Sequence, residues 1–315
     1  MIFGLTEMPS FAADVKNALS RTDVDRACCQ TAELAALLRM GASVQTDGAR
    51  GAGLRFAAAS AAVARRVIRL LRAMDGAIET SVAMERMPQL RRRTYIVNIA
   101  AGAAVMPLLA QLGFAGGSLR SASDLALLRK KCCRAAYLRG AFLGGGSVNR
   151  PEASCHLEIT ARNEEMARAL HTLLRRLHFP VGLTDRHEMY VVYLKEGDAV
   201  MDFLSLIGAE EAAEEIEVAR NLKEVRAQVN RLVNVETANL QRAVDAAADQ
   251  LAAIEQLSRS GRLAALPADL RETAEMRRIH PEISMAELAA LCHISKSGMS
   301  HRLRKIRRAA EEEQN

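Results

Sequence analysis

The chain says one thing twice, and a duplicated chain is constrained to fold twice in the same way. Residues 28–44 read CCQTAELAALLRMGASV and residues 132–148 read CCRAAYLRGAFLGGGSV, identical at seven of 17 positions. Residues 54–74 are matched by 157–177 at nearly the same spacing. Further on, YIVNI (95–99) and AVMPLLAQLG (104–113) recur as YVVYL (190–194) and AVMDFLSLIG (199–208). Alanine-rich helices look alike by composition alone, which would cover the middle block but not the Tyr and AVM blocks in the same order. Two copies, about 9–113 and 128–208, are therefore predicted to build the same unit and to pack as a pseudo-symmetric pair within a domain spanning 1–208. In each copy the periodicity suggests a helix up to a Gly-rich end, a strand after Ser43 or Ser147, an amphipathic helix, a strand carrying the Tyr and a final helix. That is an α+β unit with an antiparallel sheet. Arg65, Arg66, Arg69 and Arg72 recur at helical spacing in the first copy, and the default reading of such a stripe is a solvated face.

Composition narrows the chemistry. With 315 residues, 50% of them hydrophobic and 25% charged, the chain can bury a substantial core and is expected to hold two domains. Trp is absent and aromatics make up only 3%, so aromatic stacking on bases or sugars is a poor mechanism here. The six cysteines, Cys28, Cys29, Cys132, Cys133, Cys155 and Cys292, include no CxxC pair and no His at zinc-finger spacing, so no metal and no cofactor is expected. The paired cysteines fall at the same repeat position and read most simply as small, soft residues opening a core helix. Reduced thiols and the lack of a signal peptide point to the cytoplasm. Residues 96–117 carry no charge over a length near that of a membrane span. They hold Pro107 and four Gly and begin as the repeated Tyr strand, which favours buried strand plus helix and no membrane partner.

Charge is concentrated near the C-terminus: residues 284–308 carry six Lys and Arg against one Glu. Such a cluster commonly meets phosphate, with a solvated helix face as the competing account. The same stretch has the grammar of a helix-turn-helix. Pro267 opens a helix through Ile279. Ser284 can cap a second helix with Glu287 completing a capping box, and Ser295 can cap a third. Leu288, Ala289, Met299, Leu303 and Ile306 form the expected core, Ala289 being the small residue that lets the helices cross. Lys296, Ser297, Ser300, His301 and Arg304, with Ser295 at the cap, then face outward and suit base edges in a major groove. Arg302, Lys305, Arg307 and Arg308 flank that face as phosphate contacts. His293 stands where the turn usually has glycine. Residues 266–315 are thus assigned to an all-α DNA-binding domain. Residues 209–265 form a helical linker in which Asn221, Asn230, Asn234 and Asn239 could mark a kink, a cap or a polar contact, and 258–265 is the expected hinge.

The helix ends LAALLRMGAS (34–43) and LRGAFLGGGS (138–147) resemble the LAGLIDADG motif of homing endonucleases, duplicated as in their single-chain members. In that family the motif helices pack together, and an acidic residue at the eighth position of each holds the divalent metal that activates water. Those positions are Gly41 and Gly145 here, and neither has a ligand to offer. The sixth positions, Asp in the namesake motif, are Arg39 and Leu143. A degenerate LAGLIDADG pair, a helical linker and a C-terminal SKSGMSHRLRKI together resemble the bacterial WhiA family of sporulation and cell-division transcription regulators. Further matching segments are 134–159, 230–244 and 266–278. The likeness begins near residue 8, which makes residues 1–7 an extension or a misplaced start. It implies two pseudo-symmetric αββαββα-type repeats followed by a helix-turn-helix. It also implies a nucleoid-associated regulator of cell division, chromosome segregation or sporulation, not an enzyme, in the form of a monomeric pseudo-dimer. Double-stranded DNA in promoter regions would be its partner, with another transcription regulator and RNA polymerase beside it. Two other readings compete: a metal-dependent DNA endonuclease, opposed by Gly41 and Gly145, and a division or chromosome-organisation scaffold whose DNA contact is incidental.

Overall fold

The structure is a computed structural model that describes residues 10–47, 51–76, 78–87, 92–114, 125–186 and 189–312. Residues 1–7 lie outside the described residues. The chain divides into two compact units, 1–223 and 224–315.

In the first unit, helix α1 (Phe11–Arg21) leads into the first copy. That copy runs α2 (Ala27–Gly41), β1 (Ala42–Asp47), β2 (Gly51–Ala58), α3 (Ala61–Met74), β3 (Thr80–Met87), β4 (Arg92–Ile99) and α4 (Val105–Gln111). The second runs α5 (Lys131–Gly145), β5 (Gly146–Val148), β6 (Leu157–Ala161), α6 (Glu164–Arg176), β7 (Gly182–Arg186), β8 (Met189–Leu194) and α7 (Gly197–Ile207). Each copy is αββαββα and holds two more strands than periodicity alone picks out. Both sheets are four-stranded and antiparallel, ordered β1-β2-β4-β3 and β5-β6-β8-β7. The register repeats as well: Ala58 faces Tyr95 and Leu54 faces Ile99 in one sheet, and Ala161 faces Tyr190 and Leu157 faces Leu194 in the other. The uncharged stretch that begins at Ile96 is the end of β4 followed by α4, and no described helix is long and apolar enough to cross a membrane.

The two copies meet through α2 and α5. Both are mostly apolar, and residues 34–38 of α2 are fully buried. Small residues let the axes approach closely. A Cβ at Gly140 would run into the Glu33 carbonyl oxygen and lie 3.0 Å from the Ala36 Cβ, so only glycine is tolerated at this crossing. Polar groups here are paired across the copies. Glu33, fully buried, accepts from Arg66 Nε at 2.6 Å and Nη2 at 3.0 Å and from Arg139 Nε at 2.9 Å, and Arg139 Nη1 donates to the Ile207 carbonyl at 2.9 Å. Arg66 is thereby removed from the expected solvated stripe, since it is buried in α3 with a carboxylate partner. Arg69 stays on the surface, 3.7 Å from Asp23.

Helix α8 (Glu210–Arg259) follows without a break. Its first turns bury Ala212, Ala213 and Ile216 in the core of the first unit, and its last turns bury Ala253, Ile254 and Leu257 in the core of the second. The C-terminal core therefore begins well upstream of residue 266. The four asparagines of the linker interrupt no helical turn, and Asn239 accepts from Arg242 at 2.9 Å.

Candidate nucleic-acid interface

The second unit places three helices, α9 (Ala268–Ile279), α10 (Met285–Leu291) and α11 (Lys296–Glu311), around one apolar centre. Local chemistry fixes each boundary. Pro267 precedes α9. At α10 the capping box forms: Ser284 Oγ accepts from the Glu287 N–H at 3.2 Å and the Glu287 carboxylate accepts from the Ser284 N–H at 2.8 Å. The helix-favouring charge is held in place, since those bonds to Ser284 lower the Glu287 carboxyl pKa. Ser295 Oγ caps α11 by accepting from the Gly298 N–H at 3.1 Å.

The turn between α10 and α11 is closed by a left-handed residue. His293 has φ 53°, its N–H donates to the Ala290 carbonyl at 3.1 Å, and the Ile294 N–H donates to Ala289 at 3.0 Å. This is the paired bonding of a Schellman ending, normally completed by glycine. His293 thus adopts the glycine conformation at the cost of its own Cβ sterics. Arg277, buried in α9, fastens the other connection by donating to the Ile283 carbonyl at 2.8 Å.

Leu288, Ala289, Met299, Leu303 and Ile306 are all buried, which leaves the opposite side of α11 to solvent. Ser295, Lys296, Ser297, His301, Arg304, Lys305, Arg307 and Arg308 are exposed, and Ser300 is half-buried. Among the described residues Lys296, Arg304 and Lys305 make no ion pair. Arg307 and Arg308 sit 3.3 and 3.4 Å from Glu311 and Glu312. Arg302 departs from its assigned place beside the reading face. It turns inward, donates to the Asp269 carbonyl and Thr273 Oγ1 at 3.3 and 3.4 Å, and lies 3.5 Å from the Asp269 carboxylate. Its work is to join α11 to α9.

The degenerate motif positions lie in the first unit at the ends of α2 and α5. A Cβ at Gly41 would sit 2.7 Å from Phe56 Cε2, and one at Gly145 would run into the Thr160 carbonyl oxygen and Met40 Cε. Arg39, at the sixth position, donates to the Leu112 and Gly113 carbonyls at 3.3 and 3.1 Å and stacks 4.1 Å from the Phe114 ring centre, tying α2 to the end of α4. On the described strands, Arg55 pairs with Glu85 at 2.8 Å and Arg186 lies 4.0 Å from Glu158, so those sheet cations are shared with carboxylates.

One grouping is missed by reasoning on spacing along the chain. The Sγ atoms of Cys28, Cys29, Cys132 and Cys133 all lie within 4.8 Å of one another. Only Cys29 and Cys133 are buried as expected of core residues, while Cys28 and Cys132 are half-buried. The signal was present in the sequence as a Cys-Cys pair at one repeat position in each copy.

Models of three WhiA domains match in order: the N-terminal LAGLIDADG-like domain over residues 27–115, the LAGLIDADG-like domain over 134–226 and the C-terminal helix-turn-helix domain over 229–310. The chain belongs to the WhiA family. Relatives described as "Probable cell division protein WhiA" include that of Heliobacterium modesticaldum, 41% identical over 309 residues and covering 96% of each chain. That of Desulforamulus reducens is 44% identical over 308 residues, covering 96% of this chain and 95% of the relative. The solved full-length DUF199/WhiA of Thermatoga maritima shares the fold with a TM-score of 0.61 at 24% identity, covering 96% of this chain and 98% of that one. The WhiA fold is thus a duplicated LAGLIDADG-like domain followed by a helical helix-turn-helix domain, and that domain fits DNA binding.

Proposed function

We propose that this chain is a sequence-specific DNA-binding transcription regulator of cell division, and that its LAGLIDADG-like domain has no nuclease activity. The carrying observation is the outer side of α11. Lys296, His301 and Arg304 stand exposed opposite the buried Met299, Leu303 and Ile306, with Lys305 beside them. A capped helix presenting cations that make no ion pair among the described residues, together with hydrogen-bonding side chains, is suited to a major groove. In this reading Lys296, Ser297, Ser300, His301 and Arg304 read base edges. Ser295, Lys305, Arg307 and Arg308 approach phosphates, and Arg302 positions the helix. Loss of nuclease chemistry is supported by Gly41 and Gly145, which offer no ligand and have no free space for one. Promoter DNA at the nucleoid, in the cytoplasm, is the partner this reading requires. Another transcription regulator or RNA polymerase would act with it there.

Genome-wide mapping of bound sites tests the proposal. Lys296→Ala and Arg304→Ala should each cost about 1–3 kcal/mol of specific binding, and Lys305→Ala should weaken all sequences alike while lowering the salt slope by about one. Unchanged occupancy and unchanged salt dependence in these variants would reject α11 as the reading helix. Metal-dependent, site-specific nicking of supercoiled plasmid by the unmodified protein would reject the non-enzymatic half of the reading.

A further inference from the structure

Five helices of this chain, α1, α3, α6, α10 and α11, open with a Ser or Asn side chain bonded to a first-turn N–H. The helices α2 and α5, like α4, α7 and α9, have no such bond: Arg26 and Lys130 occupy their cap positions. Each of α2 and α5 carries Cys-Cys at its second and third residues, Cys28 and Cys29 in one and Cys132 and Cys133 in the other. The pseudo-symmetric pairing brings these two helix starts together, so the positive ends of two 15-residue helices converge on four thiols. The Arg26 side chain reaches Cys132, and Lys130 and Lys131 immediately precede that cysteine on the chain. All four Sγ atoms lie within 4.8 Å of one another, Cys132 and Cys133 being 4.0 Å apart.

These separations select among the chemistries open to four thiols. A zinc ion bound by thiolates at about 2.3 Å sets tetrahedral sulfurs about 3.8 Å apart, within a side-chain adjustment of what is seen. An iron–sulfide cluster places its thiolates around an inorganic core and so needs them spread wider. Two disulfides across the copies would also engage all four, but all four cysteines are free, and a disulfide needs its sulfurs about 2.05 Å apart. Electrostatics agree, because a tetrathiolate zinc centre carries net negative charge and faces helix N-termini and a guanidinium. The inner pair, Cys29 and Cys133, is buried, and the outer pair, Cys28 and Cys132, is partly open, which provides an entry path. We propose that Cys28, Cys29, Cys132 and Cys133 form a tetrathiolate site for a single zinc-type divalent cation, which staples the two copies together at the start of the α2–α5 pair. The site belongs to the first unit, and its test does not depend on DNA binding.

Full-length protein purified under reducing conditions without chelator should contain one zinc per chain. Stripped protein titrated with cobalt(II) should develop the thiolate-to-metal charge transfer and intense visible bands of a tetrahedral tetrathiolate, saturating at one equivalent and displaced by zinc. Zinc should also shield four thiols from a disulfide reagent. Cys28→Ser with Cys132→Ser should abolish the spectrum and the shielding while keeping the helical circular dichroism of the parent. If that variant fails to fold, the cobalt spectrum and thiol shielding of the unmodified chain decide. A cobalt titration without charge transfer, a spectrum that survives in the folded double variant, or four thiols that react equally fast with and without zinc would each overturn the proposal.

Discussion

The surrounding fold imposes a strained conformation on His293 and disfavours the charge of Lys16. His293 has a left-handed backbone, which costs a side-chain-bearing residue about 1–2 kcal/mol. His293→Val, with its branched Cβ, should therefore destabilise the C-terminal unit by at least about 1 kcal/mol in chemical denaturation. His293→Gly should be neutral to slightly stabilising, because relief of strain is partly offset by the freedom glycine gains when unfolded. Equal effects of the two substitutions would show that the turn does not need the left-handed state. Lys16 sits in α1 with its ammonium 5.8 Å from the Phe142 ring centre, and burial lowers its pKa from 10.5 to about 8. The folded pKa lies below the unfolded one, so the unfolded chain holds more protons between about pH 8 and 10.5 and stability rises with pH across that window. Lys16→Met should then raise the unfolding free energy at pH 7 by about 1–2 kcal/mol, with the gain shrinking as pH rises through the same window. A gain that is constant with pH would assign the effect to packing alone.

At the scale of elements, the motif helices end in glycines whose Cα positions are closely packed. Gly41 abuts Phe56, and Gly145 lies against Thr160 and Met40. Restoring carboxylates with Gly41→Asp and Gly145→Asp should therefore cost about 1–3 kcal/mol each through overpacking and should not produce metal-dependent nicking of plasmid. Nicking by the double variant would mean that the helix ends still hold an endonuclease geometry. Legibility in the sequence differed by element for physical reasons. The helix-turn-helix was readable almost residue by residue, because caps and core spacing are local: Ser284, Glu287, Ser295, Met299, Leu303 and Ile306 all lie where near-neighbour rules put them. Strands β2 and β3 escaped periodicity. β2 is Gly- and Ala-rich, with Leu54 and Phe56 buried, and runs directly into the alanines of α3. In β3, Val82 and Met84 are apolar but exposed. Arg66, Arg302 and the four cysteines could not be placed from spacing, because each is defined by a partner far away in sequence. The helical character of α8 was expected, whereas the sequence leaves open its running unbroken past the four asparagines. The burial of Ala253, Ile254 and Leu257 at its far end was not expected, because only the positions of α9 and α11 make that face a core.

The whole molecule carries two separate cores, and a defect in one should register there first. Glu33→Ala would leave Arg66 and Arg139 facing each other without their shared carboxylate inside the first unit. Breaking such a buried network typically costs about 3–5 kcal/mol. Calorimetry should show the transition of the 1–223 unit lowered while that of the C-terminal unit is unchanged. Equal shifts of both would mean that the units melt as one. The same ion network tells the two copies apart. Glu33 is matched in the second copy by Tyr137, and Arg139 is matched in the first by Ala35, so neither half contains both partners at equivalent places. Two first copies brought together would leave each Glu33 with Arg66 alone and an alanine where Arg139 stands, and two second copies would present arginines with no glutamate between them. The charge network therefore favours the meeting of two unlike copies over that of two like ones, because only the unlike pair brings the second arginine to Glu33.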